Sequence, residues 1–159
     1  MKIYLAAPWP HRGDAATAAL AIEAAGHTIT EPWWTHPECD DHDELVRQAM
    51  KDIEGVAAAD FVIVLQLAQS EGKAAETGMA MMMAKPIVIV NPNWVAATYQ
   101  ERGGNLFHHL LTVVPTLEEA LVKVVEFEQA FAKMIAEYQA KLLDADAKLA
   151  TAKGAGGKE

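Results

Sequence analysis

The chain has one cysteine, Cys39, which excludes an internal disulfide framework and suits a reducing compartment. It lacks any apolar run of about 18 residues, so no segment reads as a transmembrane helix. The opening stretch MKIYLAAPWP is interrupted by proline too soon to serve as a signal peptide, and a cytoplasmic protein is expected. Positive charge is scarce: 13 lysines and arginines face 22 acids, a net charge of −9. That balance argues against a nucleic-acid polymer or an anionic membrane as partner. A small anionic ligand stays open, because a few local donors can hold a phosphate inside an acidic protein. The glycine patterns of the Walker and dinucleotide-binding loops are also missing. What is present is one domain's worth of sequence, 159 residues with an apolar share of 52%, enough to bury a core.

Short apolar runs alternate with helical patterns. KIYLAA (2–7) ends in the loop PWPHRGD. A helix capped by Asp14 follows and stops at Gly26. HTITE reads as a second strand, closed by Pro32. A helix over 43–58 carries Leu45, Ala49, Ile53 and Val56 at helical spacing. FVIVLQL (61–67) and PIVIV (86–90) show no alternation, as expected of strands buried on both faces. LTVV (111–114) supplies a fifth strand before a long helix from Thr116. The pattern predicts an α/β fold: a flavodoxin- or Rossmann-like, doubly wound, five-stranded parallel sheet with a long C-terminal helix. Three parts are expected: a catalytic domain over 1–115, the helix over 116–150 and a disordered tail over 151–159. In such sheets ligands bind beyond the carboxyl ends of the strands where strand order reverses, which selects the loops PWPHRGD and AQSEG.

Two carboxylates stand out beside that crevice. In SEGKAAETGMA, Glu76 lies one or two turns inside a helix, where the positive helix end favours an ionised carboxylate. Ala75, Ala80 and the neighbouring methionines are expected to keep water away, making Glu76 a candidate nucleophile. The competing reading is a glutamate facing solvent. Asp52 falls on the edge of its helix's apolar stripe, where partial burial raises a carboxyl's pKa toward that of a general acid. Asp60 reads as a helix-to-strand connector. One ionised and one protonatable carboxyl are what retaining cleavage of a glycosidic bond requires.

KIYLAAPW, KDIEGVAAADFVIV and SEGKAAETGMA followed by KPIVIV occur in this order over roughly residues 2–114. The set resembles the nucleoside 2-deoxyribosyltransferase superfamily, which includes the 2'-deoxynucleoside 5'-phosphate N-hydrolases. The resemblance implies that Glu76 forms a glycosyl-enzyme intermediate, that Asp52 helps protonate the departing base and that Tyr4 holds Glu76. Without it, Tyr4 reads as a core residue. It further implies that Ala7, Trp9, Arg12, Gly13, Ser70, Gly72, Met79 and Asn105 contact substrate. Ser70 stands where the transferases typically carry aspartate and the nucleotide hydrolases serine, and Arg12 and Gly13 resemble the hydrolases' phosphate-facing turn. Hydrolysis of a deoxynucleoside 5'-monophosphate to free base and deoxyribose 5-phosphate is therefore expected, with base exchange by a transferase as the alternative. A non-catalytic nucleotide sensor is a third reading. No cofactor or metal is expected.

Four further features are read from residues alone. Trp33 and Trp34 either stack on a base or anchor their loop. His36, Cys39 and His42 match no zinc signature, and the acids around them read as helix caps. The methionines over 79–83 read mostly as helix core. In the last helix, Leu117, Leu121, Val124, Glu128, Phe131, Ile135, Tyr138, Leu142, Ala145 and Leu149 recur at spacings of four and three. That heptad seam predicts packing against another copy, in a homodimer or larger homo-oligomer.

Overall fold

The computed structural model describes residues 1–93 and 112–155, and every structural statement below concerns these. Five strands, β1 (Lys2–Ala6), β2 (Thr28–Ile29), β3 (Phe61–Leu65), β4 (Ile87–Val90) and β5 (Thr112–Val114), form one sheet in the order β2-β1-β3-β4-β5. Every pairing is parallel. The order reverses between β1 and β3, which pair Tyr4 with Val62 and Ala6 with Val64. β3 and β4 are buried along their whole length, as their unbroken apolar sequences require. The helices α1 (Arg12–Ala24), α2 (His42–Ala58), α3 (Glu71–Met82) and α4 (Leu117–Ala155) complete the architecture, with helices on both faces of the sheet.

α2 and α3 pack against one another, and both reach β1. Each has a side-chain cap at its start: Asp41 accepts from the Glu44 N–H at 2.8 Å, and Ser70 Oγ accepts from the Lys73 N–H at 3.3 Å. Beyond the end of α2, Lys85 Nζ donates to the carbonyls of Ala57 and Ala59, at 2.8 and 2.7 Å. Asp60 is the connector its position suggests. Its carboxylate accepts from the Lys2 N–H at 2.8 Å, and its own N–H donates to the Lys2 carbonyl at 2.8 Å.

Three local expectations change. α1 begins at Arg12, not after an Asp14 cap, because a 3-10 turn over Trp9–His11 containing Pro10 already sets the helical direction. Asp14 sits in the first turn with an oxygen 2.8 Å from His11 Nδ1. β2 is two residues long; Thr30 still donates its N–H to the Ile3 carbonyl at 3.0 Å, and Glu31 starts the next loop. The third change bears on function. α2 turns Gln48, Gly55 and Val56 inward with Asp52 half-buried beside them, while Leu45, Ala49 and Ile53 stay exposed. The buried face of this helix is therefore its polar and small one.

The chain divides into two compact units, Met1–Lys123 and Val124–Glu159. In the second, α4 continues without a break and includes 151–155, which the sequence assigns to the tail. Phe127 and Phe131 stack along it with ring centroids 6.0 Å apart. No helix among the described residues is long and apolar enough to cross a membrane.

Candidate active site

Tyr4 is fully buried on β1, between α2 and α3. Its hydroxyl donates to Glu76 Oε1 at 2.9 Å. α2 comes close enough to permit this because residue 55 is glycine. A Cβ built there would stand 2.6 Å from the Glu31 Cβ and 3.0 Å from two carbons of the Tyr4 ring. Asp52 lies three residues earlier on the same face of α2. β1, α2 and α3 thus bring Tyr4, Asp52 and Glu76 together at the switch point of the sheet.

One oxygen of each acid is left over. Glu76 Oε2 and Asp52 Oδ1 are both buried without a hydrogen-bond partner. An unpaired buried oxygen costs roughly 1–3 kcal/mol, so two of them on acids that act on one another suit a site that a ligand completes. Burial pushes the Asp52 carboxyl up to about 6; the nearby His36 lowers it and Glu31 raises it further. Burial likewise pushes Glu76 up to about 7, against the lowering effect of the Tyr4 hydroxyl, with Asp52 raising it and Lys73 lowering it. The Tyr4 phenol is held far above its usual range by burial and by the negative charges of Glu76, Asp52 and Glu31.

The expectation that the helix end holds Glu76 ionised is therefore corrected. Glu76 is the sixth residue of α3, beyond the first turn in which the free N–H groups act, and desolvation prevails there. Its shield also differs from the expected one. Ala80 is buried, but Ala75, Met82 and Met83 are exposed and Met79 is half-buried, so the methionine run is not helix core. Tyr4, Asp52 and the β1 strand do the shielding instead.

Three residues in this cluster were missed as site candidates in the sequence. Lys73 is only 5% exposed, donates from Nζ to the Ala68 carbonyl at 2.5 Å, and has its pKa lowered by burial. Its position three residues before Glu76 on one helix face was the available signal. Glu31 and His36 form a pair described below, and His36 was weighed only as a metal ligand.

Apart from Asn105, the expected substrate contacts lie on the segment that follows β1 and at the start of or within α3. Ala7 is buried just past β1, and Trp9 is exposed 6.0 Å, between ring centroids, from Trp33. Trp33 itself is buried and donates from Nε1 to the Leu5 carbonyl at 2.7 Å, which makes it an anchor of its loop. Trp34 meets it edge-on at 5.8 Å. Arg12 lies over the Trp9 ring, 5.1 Å from its centroid, and pairs with Glu38 at 2.5 Å on the surface. Gly13 has open space where a side chain would start, Gly72 stands in the first turn of α3, and Ser70 caps that helix. Asn105 lies outside the described residues.

Strand order and site placement define a parallel α/β protein with its polar cluster at the topological switch point. Its fold is that of the nucleoside 2-deoxyribosyltransferases. A 2-deoxyribosyltransferase from the psychrotolerant bacterium Bacillus psychrosaccharolyticus superposes with a TM-score of 0.53, at 18% identity, over 76% of this chain and 90% of that one. A CMP N-glycosidase from Clostridium botulinum gives a TM-score of 0.46 at 17% identity, over 78% and 98% of the two chains. No family model and no curated protein matches the sequence. The likeness is one of fold.

Proposed function

We propose that the protein cleaves the N-glycosidic bond of 2'-deoxynucleosides or their 5'-monophosphates through a covalent intermediate on Glu76. One observation carries this reading: Tyr4 fixes one oxygen of Glu76 and leaves the other buried and unbonded among the described residues, as is one oxygen of Asp52, whose charge acts on Glu76. The Glu76 carboxylate attacks C1' with its free oxygen. The bond from C1' to the base nitrogen breaks as protonated Asp52 gives its proton to the leaving base. Water then attacks C1', surrenders a proton to the Asp52 carboxylate and releases Glu76. Protons balance over the cycle, and no cofactor or metal is needed.

This chemistry requires the pair to hold about one proton near neutrality, which carboxyls titrating about 6 and about 7 satisfy. The productive arrangement has that proton on Asp52. Lys73 favours the charged form of Glu76 and Glu31 the neutral form of Asp52, whereas a charged His36 favours the ionised form of Asp52; with Glu76 at about 7 and Asp52 at about 6 the shared proton rests on Glu76, and productive attack requires its transfer to Asp52.

Hydrolysis of a deoxynucleoside 5'-monophosphate is the preferred form of the reaction. At the start of α3, Ser70 offers a hydroxyl and the helix its free N–H groups, where an aspartate would repel a phosphate. Base exchange on unphosphorylated nucleosides is the second reading, favoured by the engagement of Arg12 with Glu38. That exposed pair is worth about 0–1 kcal/mol, so an arriving phosphate can displace Glu38. Deoxynucleosides and their monophosphates, each tested with and without an acceptor base, separate the two. Free base and sugar phosphate from the monophosphates support hydrolysis; exchange on the nucleosides supports transfer. Ligand binding by wild type without base release from any substrate would reduce the protein to a nucleotide sensor and end the catalytic reading.

A further inference from the structure

Building on the glycosidic reading, we propose that the Glu31–His36 pair belongs to the site and positions the catalytic proton: acting through Asp52, it draws that proton toward Asp52 while the imidazole is neutral and loses that hold when the imidazole is charged. Neither residue needs to touch substrate for this; both are positioning residues.

The pair is built into the fold. His36 Nε2 donates to Glu31 Oε1 at 2.8 Å, with the two side chains only 10% and 17% exposed. Withdrawing two ionisable groups from water is costly, and a loop anchor could be made from neutral residues instead. Glu31 is also pressed onto α2. Its Cβ would lie 2.6 Å from a Cβ at residue 55, one helical turn from Asp52. The same glycine receives the Tyr4 ring, so Glu31, Tyr4 and Asp52 are packed around one point of α2.

The charges around Asp52 come from three elements. Tyr4 presents its hydroxyl from β1. Glu31 and His36 come from the segment after β2. Glu76 comes from α3, with Lys73 acting on it. While the imidazole is neutral, the pair carries one negative charge beside Asp52, which favours the protonated acid. Once the imidazole gains a proton the pair is neutral overall, the bias disappears and Asp52 gives up its proton more readily. The carboxylate partner fixes the imidazole's N–H at Nε2, as a carboxylate does for any histidine it orients.

The test reads Asp52 directly, by carboxyl carbon NMR titration of the full chain in wild type, Glu31→Gln and His36→Gln. Glutamine at 36 can still donate to Glu31 but can never become cationic. The Asp52 titration should move down in Glu31→Gln and up in His36→Gln. With a deoxynucleoside 5'-monophosphate as substrate, Glu31→Gln should lower kcat at pH 7 about tenfold with little change in KM, since one pKa unit corresponds to that factor. In His36→Gln the alkaline limb of kcat, set by the need for protonated Asp52, should move to higher pH. Superimposable Asp52 titrations, or shifts in the same direction, would overturn the proposal even if both variants melt at lower temperature, because a merely structural pair would lower the melting point alone. Should Glu31→Gln fail to fold, His36→Gln decides the matter. If wild type releases no base from any nucleotide, the glycosidic reading falls, while the titrations still report whether the pair acts on Asp52.

Discussion

Tyr4 and Glu76 are 72 positions apart in sequence, yet the phenol hydroxyl lies 2.9 Å from one carboxylate oxygen of the glutamate. Because both are largely buried, the bond orients the carboxylate and also lowers its proton affinity. Tyr4→Phe keeps the ring that packs against Gly55 and removes only the donor. Glu76 should then hold its proton to higher pH, and its free oxygen should lose its orientation. We expect kcat for base release at pH 7 to fall about tenfold or more, with the acid limb of the pH profile moving upward. An unchanged profile would show that the hydroxyl does not tune Glu76.

The raised pKa of Glu76 also predicts how stability varies with pH. Its carboxyl titrates near 7 in the folded protein against an ordinary value of 4.5. Below 4.5 both folded and unfolded chains hold the proton, and burial of the group carries no ionic penalty. Between 4.5 and 7 the unfolded chain ionises first, so this group progressively destabilises the fold as pH rises; above 7 the penalty is constant. Glu76→Gln removes the penalty while keeping the shape and the acceptor for Tyr4. The variant should be more stable than wild type by about 1–3 kcal/mol at pH 8 and nearly equal at pH 4, measured by urea unfolding. Equal stability at both values would place Glu76 in contact with water.

How far the sequence reveals this arrangement depends on the element. β1, β3 and β4 are legible because unbroken apolar runs between turn residues admit few other readings, and Ser70 announces the start of α3. The orientation of α2 is not legible. The usual inference turns Leu45, Ala49 and Ile53 to the core, but here the inward side must hold an acid and let a tyrosine approach, so Gln48, Asp52 and Gly55 face in. Tyr4, Asp52 and Glu76 were identifiable through their motifs, whereas Glu31 was not. Nothing in TITEP distinguishes a glutamate that leaves the sheet and packs under a helix from one exposed on an edge strand. Periodicity describes an element's own faces, and the approach of distant segments lies beyond it.

Gly55 is where that approach is closest. A methyl group there meets the Glu31 Cβ at 2.6 Å and the Tyr4 ring at 3.0 Å, and neither neighbour is the free end of a flexible side chain. Gly55→Ala gains helix propensity of about 1 kcal/mol, but the forced separation of α2 from β1 should outweigh it. We expect a net loss of stability of about 1–3 kcal/mol, the usual range for overpacking, together with a drop in kcat: base release should slow even at temperatures where the variant is fully folded. Calorimetry and steady-state rates on the same sample check both. A variant as active and as stable as wild type would mean that α2 can move away without disturbing Tyr4 or Glu31.

The last prediction concerns α4. Phe131, Ile135, Tyr138 and Leu142 are exposed along it at spacings of four, three and four. A seam with this period fits a helix of the same period, and the chain itself supplies one. Charge points to an antiparallel arrangement: Glu118, Glu119, Glu126 and Glu128 outweigh Lys123 in the first half, while Lys133, Lys141, Lys148 and Lys153 slightly outweigh Glu137, Asp144 and Asp146 in the second. Two copies laid head to tail bring each acidic half against a half with a slight excess of lysine, whereas parallel copies set the two acidic halves together. The full chain should therefore sediment as a dimer or larger assembly. Ile135→Glu, which places a charge in the seam without altering the catalytic residues, should give a monomer, as should a chain ended after Ala132. Glu128→Lys tests the orientation. In antiparallel copies it sets lysine near lysine and should weaken association at low salt, with recovery as salt screens the repulsion. An oligomer indifferent to all three changes would assign assembly to another surface.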